Sequence, residues 1–228
     1  MNVELMIESL PALLSGLVVT FQLVAAALVV GFVIALPTAL ARISRLAILR
    51  GLALGYAFFF RGTPLLVQIF LIYYGFAQSE ALRDSILWPI LREPYWCALI
   101  AFSLNTGAYS AEVFRGGIQS VPHGQVEAAR AIGMSPASVF RRIVWPQALR
   151  QALPAYGNEI ILLVKASSLA STVTLMDITG VARTLAAETY MPIEMFTAAA
   201  AIYLALTYSM SWGIVLLERR LTPKESRV

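Results

Sequence analysis

The chain has 228 residues, 59% of them hydrophobic and 13% charged, with a formal net charge of +4. Soluble domains carry about 25% charged residues, so this composition excludes an ordinary water-soluble globule and makes lipid the main solvent. The length suits a single transmembrane domain, 1–228. The lone Cys97 excludes a disulfide framework and reads as a buried, inert thiol.

The N-terminus carries Glu4 and Glu8 where a cleaved signal needs positive charge, and the apolar run that follows is too long for one, so no cleaved signal is expected. Charge-free stretches then locate the membrane spans, because a helix needs about 20 apolar residues to cross the hydrocarbon. They predict five spans, near 12–40, 52–77, 94–114, 152–175 and 195–217. The second contains Arg61-Gly62-Thr63-Pro64, which predicts either a kink, with Arg61 reaching for lipid phosphate, or a hinge built on Arg61, Gly62 and Pro64. The fourth contains Glu159 and Lys165.

Arginine and lysine are divided unequally between the two sides. Arg42, Arg45, Arg50, Arg115, Arg130, Arg141, Arg142, Arg150, Arg219, Arg220, Lys224 and Arg227 fall on one side, against Arg83, Arg92 and Arg183 on the other. Positive charge collects in the cytoplasm, which predicts an outer N-terminus, a cytoplasmic tail and a cytoplasmic loop between spans three and four. This distribution accounts for the basic balance without nucleic acid.

That loop, 125–146, is the most informative stretch. Gln125–Ile132 is built of good helix formers, Gly133 breaks it, and Ser135-Pro136 reads as an N-cap with proline at the first helical position. A second helix is expected from Ala137 to about Val144, ended by Trp145-Pro146 at the membrane interface. The result is a helix–turn–helix on the cytoplasmic surface. Its alanines offer a flat face to a partner, or the pair of helices only anchors the loop.

Within the spans, ionisable groups are costly and usually face a cavity or a partner. Asn158 and Glu159, after Gly157 and Pro154, are both expected on the solute path, with Glu159 lining a translocation cavity and attracting a cation; the alternative for Glu159 is structural pairing with Arg61 or Lys165. Asn105, Tyr109 and Glu112 recur at helical spacing on one face of span three. They read as path-lining or as interhelical hydrogen-bonding residues, and Glu112 is also placed to pair with Arg115. His123 has no companion ligands, so no metal site is expected, and Ser167, Ser168 and Ser171 read as packing residues. Residues 177–189 read as a short outer helix with Asp177, Arg183 and Glu188 on its polar face, a landing surface for a soluble protein or a simple interfacial helix.

The spacing Glu127-Ala128-Ala129, then Gly133, Ile143 and Pro146, resembles the E-A-A loop of the permease subunits of ATP-binding-cassette (ABC) importers, with Trp145 where that family usually has leucine. Four further stretches are similar to the polar amino-acid branch of the family: Phe60–Gln68, Leu104–Glu112, Arg115–Pro122 and Leu153–Glu159. The stretches Ser120–Gly124 and Ala155–Glu159 look most like permeases for histidine, lysine, arginine and ornithine, with opine permeases close by. The resemblance implies an all-α type I importer permease in the bacterial inner membrane, importing a basic amino acid or an opine. Glu127, Ala128, Ala129, Gly133 and Arg141 would then couple it to two ATP-binding cassette subunits. A second permease subunit, identical or similar, and a periplasmic solute-binding protein would complete the assembly. The chain has no Gly-x-x-x-x-Gly-Lys-Ser/Thr phosphate loop, so no cofactor is expected on it, with ATP and magnesium on the partner ATPases. An ion-gradient-driven transporter and a non-transporting scaffold are the competing readings.

Overall fold

A computed structural model describes residues 2–221, and every regular element among them is helical. Helix α1 (Val3–Arg42) is 40 residues long. The Asn2 side chain caps it, accepting from the Leu5 N–H at 3.2 Å, and Glu4 sits in its first turn, where the helix dipole favours an acid. At 1.5 Å per residue α1 is about 60 Å long, so the predicted span 12–40 is the apolar part of a longer rod.

Helices α2 (Ala47–Gly62) and α3 (Leu65–Gln78) meet at 101°. The interrupted second span is therefore a broken pair of helices, not a kinked rod. Thr63 and Pro64 leave the helical region with ψ of 145° and 132°, as expected for a proline and the residue before it. Two single turns, α4 (Glu80–Arg83) and α5 (Trp88–Leu91), lead to α6 (Pro94–Gln119).

The loop follows as α7 (His123–Ala131) and α8 (Pro136–Val139). Here one expectation is corrected: Trp145-Pro146 does not end the second loop helix. A π turn at Phe140–Val144 carries the chain straight into α9 (Trp145–Ala166). Proline normally clashes with the carbonyl four residues back and lacks the N–H to bond it. The wider π turn, closed by the Trp145 N–H on the Phe140 carbonyl, admits Pro146 without ending the helix. The loop's second helix and the fourth span thus form one continuous body.

A 3-10 segment, Ser167–Val173, leads to α10 (Ile178–Thr189) and α11 (Pro192–Leu221). The short helix expected at 177–189 is present as α10, but Asp177 is not on its exposed face. It is fully buried as the N-cap, accepting from Gly180 N–H at 3.0 Å and from the Tyr203 hydroxyl of α11 at 2.9 Å. Lys224 and Arg227, counted above among the cytoplasmic charges, lie outside the described residues.

The helices pack through small residues. Ala27, Ala35 and Ala39 of α1 and Ala98, Ala101, Ala108 and Ala111 of α6 are all fully buried, while Val18, Val33, Phe58 and Leu204 point outward with 59–79% of their surface free. In lipid, helices gain little by hiding large apolar side chains and much by close backbone contact. Gly117 shows how close: a Cβ there would stand 2.5 Å from the Ala148 carbonyl oxygen of α9.

Arg42 at the end of α1 and Arg115 on α6 both grip Glu112, each with Nε at 2.8 Å from a carboxylate oxygen. All three side chains are less than a third exposed. Glu112→Ala would leave two arginines facing each other, a loss expected at about 3 kcal/mol for a broken, largely buried ion pair. A lowered unfolding midpoint of the purified protein checks this; an unchanged midpoint would show the cluster to be ornamental.

Candidate functional site

A cavity of about 270 Å³ lies between α3, α6 and α9. Asn105, Thr106 and Tyr109 of α6 and Glu159 of α9 supply its polar wall; Leu65, Leu162 and Ala166 supply apolar wall. Three of the five residues expected on a solute path therefore meet. The other two do not: Glu112 is engaged by Arg42 and Arg115, and Asn158, one position from Glu159, is exposed and off the cavity wall. One helical step turns a side chain by about 100°, so neighbours in sequence face different ways.

Glu159 makes no ion pair within 4 Å among the described residues, with neither Arg61 nor Lys165. Structural pairing does not account for its place here. Arg61 instead lies over the ring of Tyr109, its guanidinium carbon 5.2 Å from the ring centroid, and the Tyr109 hydroxyl donates to the Arg61 carbonyl at 3.4 Å.

The break between α2 and α3 is tied to this wall. Phe60 would offer its carbonyl to the N–H of residue 64, but Pro64 has none. Two side-chain amides replace that donor: Asn105 Nδ2 and Gln68 Nε2 each reach the Phe60 oxygen at 2.9 Å. Gln68 Nε2 also donates to the Thr63 hydroxyl at 2.7 Å, while its Oε1 accepts from Asn105 at 3.2 Å. Gln68 is 3% exposed. Residue spacing assigned it no role; the signal was an amide four residues beyond a proline in an apolar helix.

At the loop, Gly133 adopts φ +84°. It closes α7 by a pair of reverse bonds, Met134 N–H to the Ala129 carbonyl at 3.1 Å and Gly133 N–H to the Arg130 carbonyl at 2.9 Å, the Schellman arrangement that requires a left-handed residue. Ser135 then caps α8, accepting from Ser138 N–H at 3.4 Å. Ala129 packs inward, whereas Glu127, Ala128 and Arg141 are exposed. A groove of about 470 Å³ runs between Ala128, Ile132, Arg142 and Gln147. Ile132 leaves 80% of its surface free. Gln147 clips α9 to α7 through Gln125 at 2.6 Å, a contact that residue spacing did not suggest.

The sequence of residues 27–223 matches the family described as binding-protein-dependent transport system inner membrane component. The chain belongs to that family. It is 51% identical over 98% of its length to the nopaline transport system permease protein NocM of Agrobacterium fabrum, covering 93% of that protein. It is 53% identical over 96% of its length to the octopine transport system permease protein OccM of Rhizobium meliloti, covering 90% of it. The histidine/lysine/arginine/ornithine transport system permease protein HisM of Escherichia coli K12 is 40% identical over 85% of this chain and 82% of its own length. Among solved structures, an amino acid ABC transporter crystallised with histidines superposes with a TM-score of 0.86 at 36% identity, over 96% of this chain and 99% of that one. The fold is that of a type I ABC importer permease, and the chain is a multi-pass, non-catalytic inner-membrane subunit.

Proposed function

We propose that this permease carries basic amino acids or opines through the cavity at Glu159, and that α9 links that cavity to the ATPase. The observation that carries this is the meeting of Asn105, Tyr109 and Glu159 in one cavity, with Glu159 on the same helical body as the loop. Glu159 is 14 residues from the start of α9, about 21 Å at 1.5 Å per residue, a depth where an unpaired carboxylate has no ready partner but a cationic solute. Every solute named for the relatives above carries an amine or guanidine together with a carboxylate.

Two ATP-binding cassette subunits, holding ATP and magnesium, dock on the exposed face of Glu127, Ala128 and Arg141. Their closure moves α7 and α8; because α8, the π turn and α9 are continuous, the push reaches the cavity as a rigid-body tilt. A second permease subunit completes the pore, a periplasmic binding protein delivers the solute, and the N-terminus faces the periplasm. The 101° break at Arg61-Gly62-Thr63-Pro64 is the point at which α2 and α3 change their mutual angle.

The test is uptake into vesicles containing the permease with its ATPase and binding protein, with competition by histidine, lysine, arginine, ornithine, octopine and nopaline. Uptake is expected only with ATP inside and binding protein outside, and competition only from members of this set. Competition by neutral or acidic amino acids alone would refute the substrate class, and uptake by the permease without ATPase would refute the coupling.

A further inference from the structure

Arg61 carries a charge that neither the fold nor the transport reading above has used. It lies 14 residues from the start of α2, as Glu159 does on α9, so both charges stand about 21 Å along helices that begin on the side of the loop. No carboxylate lies within 4 Å of Arg61 among the described residues. Glu159 lines the cavity, and Arg61 lies against Tyr109 of the same cavity wall, with no ion pair within 4 Å between the two charges. Tyr109 is the shared element: it lines the cavity with Glu159 and supports the Arg61 guanidinium on its ring. A cation held over a ring face makes no hydrogen bond through its N–H groups in that contact, and the guanidinium N–H groups form a fork matched to a carboxylate. The start of α3 has no side-chain cap, and its first residue, Leu65, lines the same cavity. The positive end of that helix adds to the Arg61 charge.

We propose that Arg61, seated on Tyr109, is the carboxylate subsite of this cavity, so that a solute is held as an ion of two poles: its carboxylate at Arg61 and its cationic group at Glu159. The inference rests on the reading of the cavity as the solute path. It assigns Arg61 a ligand in place of a role as hinge alone. A zwitterionic solute entering this depth brings an anion as well as a cation, and the anion must be satisfied as fully as the cation.

The experiment titrates the purified permease–ATPase complex, without binding protein, with three probes by calorimetry. These are L-arginine, L-argininamide, whose carboxylate is masked, and agmatine, which lacks it. The unmodified complex is expected to favour arginine over both others by about 10-fold or more. Arg61→Gln is expected to reduce that preference to less than about 3-fold by weakening arginine while leaving agmatine unchanged. Arg61→Lys, a point charge without the fork, should fall between. Glu159→Gln should weaken all three probes together.

An Arg61→Gln complex that keeps the arginine preference overturns the subsite, as does one that loses arginine and agmatine equally, which would mark a purely structural role. If that variant does not assemble, the unmodified complex and Arg61→Lys still decide: equal binding of the three probes, or an undiminished preference with lysine, refutes the proposal. Failure of the cavity reading looks different, since Glu159→Gln would then leave every probe unaffected. No binding of arginine to the unmodified complex would overturn both.

Discussion

Gly133→Val is expected to reduce ATP-dependent uptake by roughly 5- to 30-fold while leaving the permease in the membrane at its normal level. The reason is local. Gly133 holds φ at +84°, and a residue with a Cβ there costs about 1–2 kcal/mol, more for one branched at Cβ. The strain is relieved by opening the two reverse bonds from Gly133 and Met134 that close α7, which releases the angle between α7 and α8. No atom of the protein lies within 4 Å of a Cβ added at Gly133, so the effect would come from backbone conformation and not from crowding. A shift of that size lowers the fraction of loops in the docking shape by roughly 5- to 30-fold. Co-purification of the ATPase subunit with the permease measures it directly. Gly133→Asn supplies the control, because asparagine tolerates the left-handed region, and should retain most binding and uptake. Normal uptake by the valine variant would remove the loop from the coupling path.

Glu159→Gln is expected to weaken binding of arginine, lysine and ornithine by about 30-fold or more, with normal amounts of assembled transporter. The change keeps the shape of the side chain and removes its charge. A close charge contact withdrawn from water is worth about 2–5 kcal/mol when one partner is lost, and about 2 kcal/mol already gives 30-fold. Because Glu159 has no ion pair among the described residues, the substitution strands no cation of the protein's own. Stability should therefore change little, and the loss should appear in solute affinity. Histidine, with an imidazole near neutrality, should show a smaller loss at pH 8 than at pH 6, since only its charged form has a stake in the carboxylate. Equal affinities in both proteins would show that Glu159 serves the fold.

The two sites differ in how far they were legible beforehand. The loop was almost wholly legible, because helix formers, a glycine and a Ser-Pro pair are local signals whose physics operates within a few residues. Glycine at 133 adopts the positive φ, and Ser135 caps as its position suggested. What local signals misjudged was Trp145-Pro146. A proline reads as a helix end, yet a π turn five residues long absorbs it, and nothing in the side chains of Phe140–Val144 announces a wider turn. The cavity was half legible. Depth singled out Glu159, and helical spacing placed Asn105 and Tyr109 on one face. That same spacing included Glu112, which Arg42 captures from 70 residues away.

The sequence by itself determined what depends on composition and on near neighbours. It specified a lipid-embedded, all-helical chain, a break at Pro64, and a glycine-hinged loop with the marks of an importer permease. Only the tertiary structure decided which polar groups share a space: that Gln68 and Asn105 replace the donor Pro64 lacks, that Asp177 is a buried cap, and that Arg61 rests on Tyr109, which shares a cavity with Glu159. The reason is that a side chain's partner in a membrane bundle is set by the rotation and crossing of separate helices. Those are fixed by small residues such as Gly117, whose contact lies on another helix and leaves no mark in the residues beside it.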